Sequence, residues 1–204
     1  MPTFEYDRGY VEKGIELLES YLLADAAYWP MDIKSPSGEP PYPMLTLEGL
    51  LLSRQRLLAY RGYPTDESRA MKLSLALDNI KNHWKVAWEN KSARAYKTRL
   101  TMWRNYLEEY WGSPESHADR YAYEVRLRVF LTLLSNSNRM VDPSKDGLLT
   151  RLDGFLKSVL KPGIFIWGDD TKAGFPLEDY WYLYGNLPAL LPEHLTGFDH
   201  AWGV

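Results

Sequence analysis

Apolar residues recur at helical spacing in the first third of the chain. Over residues 7–28 they form one broad stripe of Tyr10, Ile15, Leu18, Leu22 and Ala26, which the Trp29-Pro30 pair ends. A second group follows Thr46 and stops before Gly62 and Pro64; its members are Leu47, Leu50, Leu51, Leu57 and Leu58. Because threonine is a good N-cap residue, this pattern predicts a second helix that starts at Thr46.

The longest stretch without a helix breaker covers residues 65–111, where no proline or glycine occurs. Thr65, followed by two acidic residues, is a suitable N-cap for it. One straight helix of this length would measure about 70 Å, whereas a compact domain of this size is roughly 40 to 45 Å across. The polar residues 89–92 separate two apolar faces that point in different directions. We therefore predict either two helices that meet near Asn90 or one helix that projects toward a partner.

Two further helix starts carry a proline at the first helical position. Ser113-Pro114 predicts a helix that reaches Leu134, and Asp142-Pro143 predicts another that ends at Pro162-Gly163. Beyond Gly163 the pattern indicates a short extended run over 164–167 and a short helix over 177–184. This last part is rich in aromatic residues, namely Phe175, Tyr180, Trp181, Tyr182, Tyr184, Phe198 and Trp202.

These elements together predict an all-α fold. We expect an irregular helical bundle of five to seven helices, with a long antiparallel or projecting helical segment and an aromatic-rich C-terminal loop region. Residues 1–204 fit a single helical domain. Because many exposed rings would form an aggregation-prone patch, residues 163–204 are expected to wrap the helical body, or to cover it as a lid of the same domain.

Composition removes several kinds of chemistry. The 204-residue chain has no cysteine, which excludes disulfides, thiolate catalysis and cysteine-bound metal. None of the four histidines has a His, Asp or Glu three or four residues away, so helical metal-binding spacings are missing. We expect no metal or cofactor, with a site assembled from His194, Asp199 and His200 as the remaining option. The polar start and the lack of a long apolar run predict a soluble, cytoplasmic protein without membrane contact.

Charge is distributed unevenly along the chain. Residues 69–104 contain nine basic and two acidic residues, a net charge of +7, although the whole chain carries −3. Aromatic residues alternate with these cations, as in surfaces that stack single-stranded bases. The candidate binding residues are Lys85, Trp88, Lys91, Arg94 and Arg99. On an ideal helix the cations fall on opposite sides and form no single stripe, which weakens the nucleic-acid interpretation.

A second polar cluster occupies residues 117–128. Tyr121 and Val125 are expected in the core, whereas Asp119, Tyr123 and Glu124 would form a polar network or line a cleft between helices. Glu124 is the titratable group of interest if the cleft is catalytic.

Three functions are consistent with these patterns. The first is a non-enzymatic helical scaffold or protein-interaction protein, which self-associates through the long helical region or binds another protein. The second is a nucleic-acid or polyanion-binding module that uses residues 69–104. The third is an enzyme with a carboxylate cleft near Glu124.

Overall fold

A computed structural model of the chain describes residues 2–60, 62, 64–143 and 146–191. The fold is all-α, with several helices and one small sheet. The helices are α1 (Phe4–Leu23), α2 (Leu47–Ala59), α3 (Pro64–His83), α4 (Lys85–Gly112), α5 (Pro114–His117), α6 (Tyr121–Glu124), α7 (Arg126–Ser137), α8 (Gly147–Val159) and α9 (Leu177–Tyr180). Strands β1 (Lys161–Phe165) and β2 (Tyr184–Asn186) pair antiparallel.

Side-chain caps define the starts of the first two helices. The hydroxyl of Thr46 accepts a hydrogen bond from the Gly49 amide at 3.1 Å, which confirms the predicted cap of α2. Helix α1 begins earlier than its stripe predicts, because Thr3 caps it. It also ends at Leu23 rather than Tyr28, since the chain then turns and the main chain of Trp29 pairs with that of Leu45.

The long segment without proline or glycine is two helices, as one of the alternatives predicts. Their junction is Trp84 (φ −102°, ψ 36°), not Asn90. Residues 89–92 stay helical because they pack against another element: the Asn138 amide donates to the Glu89 carbonyl at 2.9 Å and to the Ser92 hydroxyl at 2.7 Å. The polar run therefore marks a helix contact rather than a break. Thr65 lies inside α3, which starts at Pro64, so it is not the N-cap.

Neither half of this segment projects from the body. Helix α3 packs against α1 and α2, while the 28-residue α4 packs against α7 and also contacts α1, α2 and α8. The large side chains of Trp88, Trp103 and Tyr110 on α4 are completely buried. The projecting alternative is therefore wrong, and α4 is the central helix of the bundle.

The segment after α4 is more broken than its pattern predicts. The helix expected from Ser113-Pro114 to Leu134 is interrupted by a 3-10 turn at Ala118–Arg120 and again at Val125, and it ends at Ser137. Helix α8 starts at Gly147 instead of Asp142-Pro143, because the Asp146 carboxylate accepts from the amides of Leu148 (3.0 Å) and Leu149 (3.1 Å). Despite the breaks at Ala118–Arg120 and Val125, α7 packs against α4.

The C-terminal aromatic residues up to 191 join the core. Phe175, Tyr180 and Tyr182 are buried, and the Tyr121 hydroxyl donates to the Tyr182 carbonyl at 2.5 Å. Phe198 and Trp202 lie outside the described residues, so the lid expected over 163–204 stays a prediction there. Within the described ranges, no helix combines the length and the apolar character that crossing a membrane requires.

Candidate functional site

Most cations of the basic segment are paired inside the molecule. The Lys91 ammonium donates to the carbonyls of Ala24 (2.9 Å) and Ala26 (2.7 Å), and burial lowers its pKa. The Arg99 guanidinium donates from Nε to the carboxylate of the buried Glu48 at 2.7 Å, and Arg99 itself is largely buried. These two cations fix α4 to α1 and α2.

Three of the sequence-predicted binding residues meet at one cleft. Lys91, Arg94 and Arg99 line a cavity of about 140 Å³ between α1, α2 and α4. Asp25, which is paired with Arg94, and Glu48 line the same cavity, so its positive charge is balanced by carboxylates. It is too small for a typical ligand pocket of ~300–1,000 Å³.

The other two predicted residues, Lys85 and Trp88, lie at a separate cleft of about 370 Å³. Trp88 is fully buried, so its ring faces are closed to stacking bases in this conformation. Lys85 is exposed and lies 3.9 Å from the Glu89 carboxylate. We call the cleft the basic groove; its other lining residues are Lys81, Asn82, Glu89, Asn136, Ser137 and Arg139. Asn136 and Arg139 lie more than twenty residues beyond the end of α4, so no spacing in the sequence indicates that they share a cleft with it. A polyanion-binding surface on residues 69–104 stays a prediction.

The second predicted cluster forms a surface network of ion pairs. Arg120 bridges Glu124 at 2.9 Å and Glu109 at 3.3 Å, and the His117 ring lies 3.6 Å from Glu109. Tyr123 is exposed, with the Arg126 guanidinium 3.4 Å from its ring centre. Asp119 is exposed on the adjoining 3-10 turn. Glu124 lines neither the cavity around Lys91 nor the basic groove, so the enzyme with a carboxylate cleft stays a prediction.

Two largely buried ion pairs are not predicted by the sequence pattern. Arg128 binds Asp153 through two hydrogen bonds of 2.8 Å, and Arg56 binds Asp7 through bonds of 2.7 Å and 2.5 Å. Arg128 also lies over the Tyr182 ring, 4.7 Å from its centre. The sequence could have indicated these pairs only by a charged residue at a helix position that is otherwise apolar. Each pair joins two elements of the core, and the space beside Asp7 and Arg56 measures only about 10 Å³.

A stripe of apolar side chains on the outer face of α3 is exposed. Met71 (54%), Leu75 (57%) and, just after the junction, Val86 (70%) are all largely accessible to solvent. Asn79 and Asn82, also exposed, follow Leu75 on the same face of α3. We call these five residues the α3 stripe. By contrast, the exposed positions of α4 after Val86 are polar, apart from Met102 and the terminal glycine.

In the described part of the chain, no group of three or more His, Asp or Glu side chains is arranged to hold a metal ion. His194, Asp199 and His200 lie outside it. The structure therefore offers two candidate surfaces, the α3 stripe and the basic groove. Comparison of this chain with protein-family models, with curated proteins and with solved structures gave no match.

Proposed function

We propose that this protein is a non-enzymatic helical interaction protein that self-associates through the α3 stripe. The observation that carries the proposal is the exposure of Met71 and Leu75 on the outer face of α3 and of Val86 just after the junction. Burying such side chains against a partner is favourable, at about 25 cal/mol for each Å² removed from water. The partner that fits best is a second copy of this chain.

The order of residues along the stripe supports a like-with-like contact. Within α3, Leu75, Asn79 and Asn82 are spaced by four and three residues, and Val86 follows the junction at Trp84. This is the alternation of core positions in a two-stranded coiled coil. Asparagine at such a position favours pairing with asparagine on the partner, which sets the register at some expense of stability. A twofold contact would bring the same stripe of each copy together.

Charge pairing between copies contributes less than the sequence suggests. Arg94 and Arg99 find their acidic partners, Asp25 and Glu48, within the same chain. Exposed ion pairs are also worth little, about 0 to 1 kcal/mol each. Apolar burial along the α3 stripe is therefore the main driving force that we propose.

The test is the mass of the full chain in solution. Analytical ultracentrifugation over a range of protein concentrations is expected to show a reversible dimer for the wild type. Leu75→Glu would place two carboxylates in the contact, one from each copy, and should raise the dimer dissociation constant at least about tenfold, or 1.4 kcal/mol. A monomer at every concentration would overturn the proposal.

Leu23→Glu provides a matched control. Leu23 is also a helical leucine with 57% of its surface exposed, but it lies at the end of α1, outside the α3 stripe. The substitution should leave the dissociation constant unchanged. Equal losses in the two variants would show that the α3 stripe is not the contact.

A further inference from the structure

The basic groove adjoins a second cleft, with which it shares Lys81, Asn136 and Ser137. The two clefts measure about 370 Å³ and about 270 Å³, and the first alone lies within the ~300–1,000 Å³ of small-molecule sites. Together they lie where α2, α3, α4, α7 and α9 converge.

One end of the groove has an excess of hydrogen-bond donors. Among the described residues, the Lys81 ammonium and the Arg139 guanidinium have no carboxylate within 4.0 Å, and Lys85 has only the loose contact to Glu89. Burial lowers the pKa of Lys81, and the charges of Arg54 and Arg139 lower it further against the opposing effects of Asp78 and Glu89. An anion at this end would compensate these charges.

Trp88 supplies an independent sign of a missing partner. It lines this end of the groove and is fully buried, yet its indole N–H has no hydrogen-bond acceptor among the described residues. A buried donor without an acceptor costs about 1 to 3 kcal/mol. The Lys81 ammonium lies over the same ring, 5.8 Å from its centre, so the Trp88 indole and this charge are neighbours.

The other end of the groove is different in character. Leu51, Leu133 and Tyr180, all buried, line it, together with Pro176 and the carboxylate of Asp179. Arg54 also lines it, but its guanidinium is already bound to Asp78 at 2.6 Å and to the Ser74 hydroxyl at 2.8 Å. This end therefore suits an apolar or aromatic group rather than a second anion.

From this arrangement we infer that the basic groove and its extension bind a small phosphorylated molecule. The phosphate group lies between Lys81, Lys85 and Arg139, and the apolar body of the molecule lies against Leu133 and Tyr180. Phosphate is favoured over a single carboxylate because its several oxygens can accept from ammonium, guanidinium and Asn136 amide donors together. The groove adjoins the α3 stripe, since Asn82 belongs to both. Lys81, Lys85 and Arg139 lie outside the stripe, so the inference does not rest on self-association.

Isothermal titration calorimetry on the full chain tests this inference, with phenyl phosphate and inorganic phosphate as probes. Phenyl phosphate should bind more tightly, because only it reaches the apolar end. Lys81→Met and, separately, Arg139→Gln should each weaken phenyl phosphate binding about tenfold. Both positions are at least partly exposed, and circular dichroism checks that each variant is folded.

Lys97→Met is the control, because Lys97 is an exposed lysine of α4 that lines neither cleft. It should bind phenyl phosphate as the wild type does, and so should the Leu75→Glu variant. Absence of binding at millimolar probe, equal affinity for the two probes, or an equal loss in Lys97→Met would each overturn the inference. Failure of dimerisation would leave it standing.

Discussion

The Lys91 side chain extends from α4 to main-chain carbonyl groups at the end of α1. Helix α1 has no basic residue in its last turn, and the Lys91 ammonium takes that place through its bonds to Ala24 and Ala26. The Tyr21 ring also faces it, 4.0 Å from the ammonium to the ring centre. One side chain therefore stabilises the end of a helix and the contact between two helices.

We expect Lys91→Met to destabilise the fold by about 1 to 3 kcal/mol, because it leaves two carbonyls without their charged donor. The measurement is the free energy of unfolding from urea denaturation. Lys97→Met, which removes an exposed lysine from the same helix, should change stability by no more than about 0.5 kcal/mol. If both variants lose the same small amount, the buried contacts of Lys91 contribute nothing beyond those of a surface residue.

Contacts between individual side chains are also what the sequence predicts least. Its pattern marks Lys91 and Arg99 as members of a basic segment, but their partners lie 67 and 51 residues away in the chain. Only folding brings Ala24 or Glu48 to α4. The basic groove is hidden for the same reason, because Arg139 and Asn136 approach Lys81 from a distant part of the chain.

Helix α8 shows how local chemistry sets the start of an element. Asp142, which precedes Pro143, and Asp146 are both possible N-caps of this helix. In the structure the carboxylate of Asp146 is the cap. Asp146→Ala should cost about 1 kcal/mol, within the 0.5 to 2 kcal/mol typical of an N-cap. Thermal unfolding followed by circular dichroism would measure it.

Asp146→Asn is the matched control for the cap, because asparagine accepts the same hydrogen bonds and ranks with aspartate as an N-cap. It should retain most of the stability. A loss equal to that of Asp146→Ala would mean that the negative charge, rather than the hydrogen bonds to Leu148 and Leu149, accounts for the effect.

At the scale of elements the sequence predicts well wherever a local signal exists. Thr46 starts α2, Pro114 begins a helical turn, and the all-α class follows from the apolar spacing. The junction at Trp84 has no such signal, since a tryptophan does not break helices. The polar residues 89–92 mislead in the opposite direction, because their partner Asn138 belongs to a distant part of the chain.

The molecule as a whole is held together by tyrosines to an unusual degree. Nine of them are buried among the described residues: Tyr6, Tyr10, Tyr21, Tyr96, Tyr106, Tyr110, Tyr121, Tyr180 and Tyr182. Burial raises the pKa of each of these hydroxyls, and brings those of Tyr110 and Tyr180 to about 12. Several also bond main-chain carbonyls, as Tyr110 does with Pro188 at 2.9 Å.

Alkaline pH should therefore unfold the protein steeply. Above pH ~10 the tyrosines of the unfolded chain lose protons while the buried ones keep them, so the unfolded state binds fewer protons. The free energy of unfolding then falls by about 1.4 kcal/mol per pH unit for each such tyrosine. Lys81 and Lys91, whose pKa values are lowered, act in the opposite direction up to ~10.5, but they are two groups against nine.

A pH titration that follows tyrosinate absorbance and helical circular dichroism together checks this expectation. Because the buried hydroxyls ionise only when the core opens, most of the rise in tyrosinate absorbance should coincide with the loss of helical signal. Stability must be fully retained below the ordinary tyrosine pKa and lost only as the pH rises toward the raised values. If the tyrosines ionise while the helical signal is intact, the core admits water around them, and their burial cannot be what couples stability to pH.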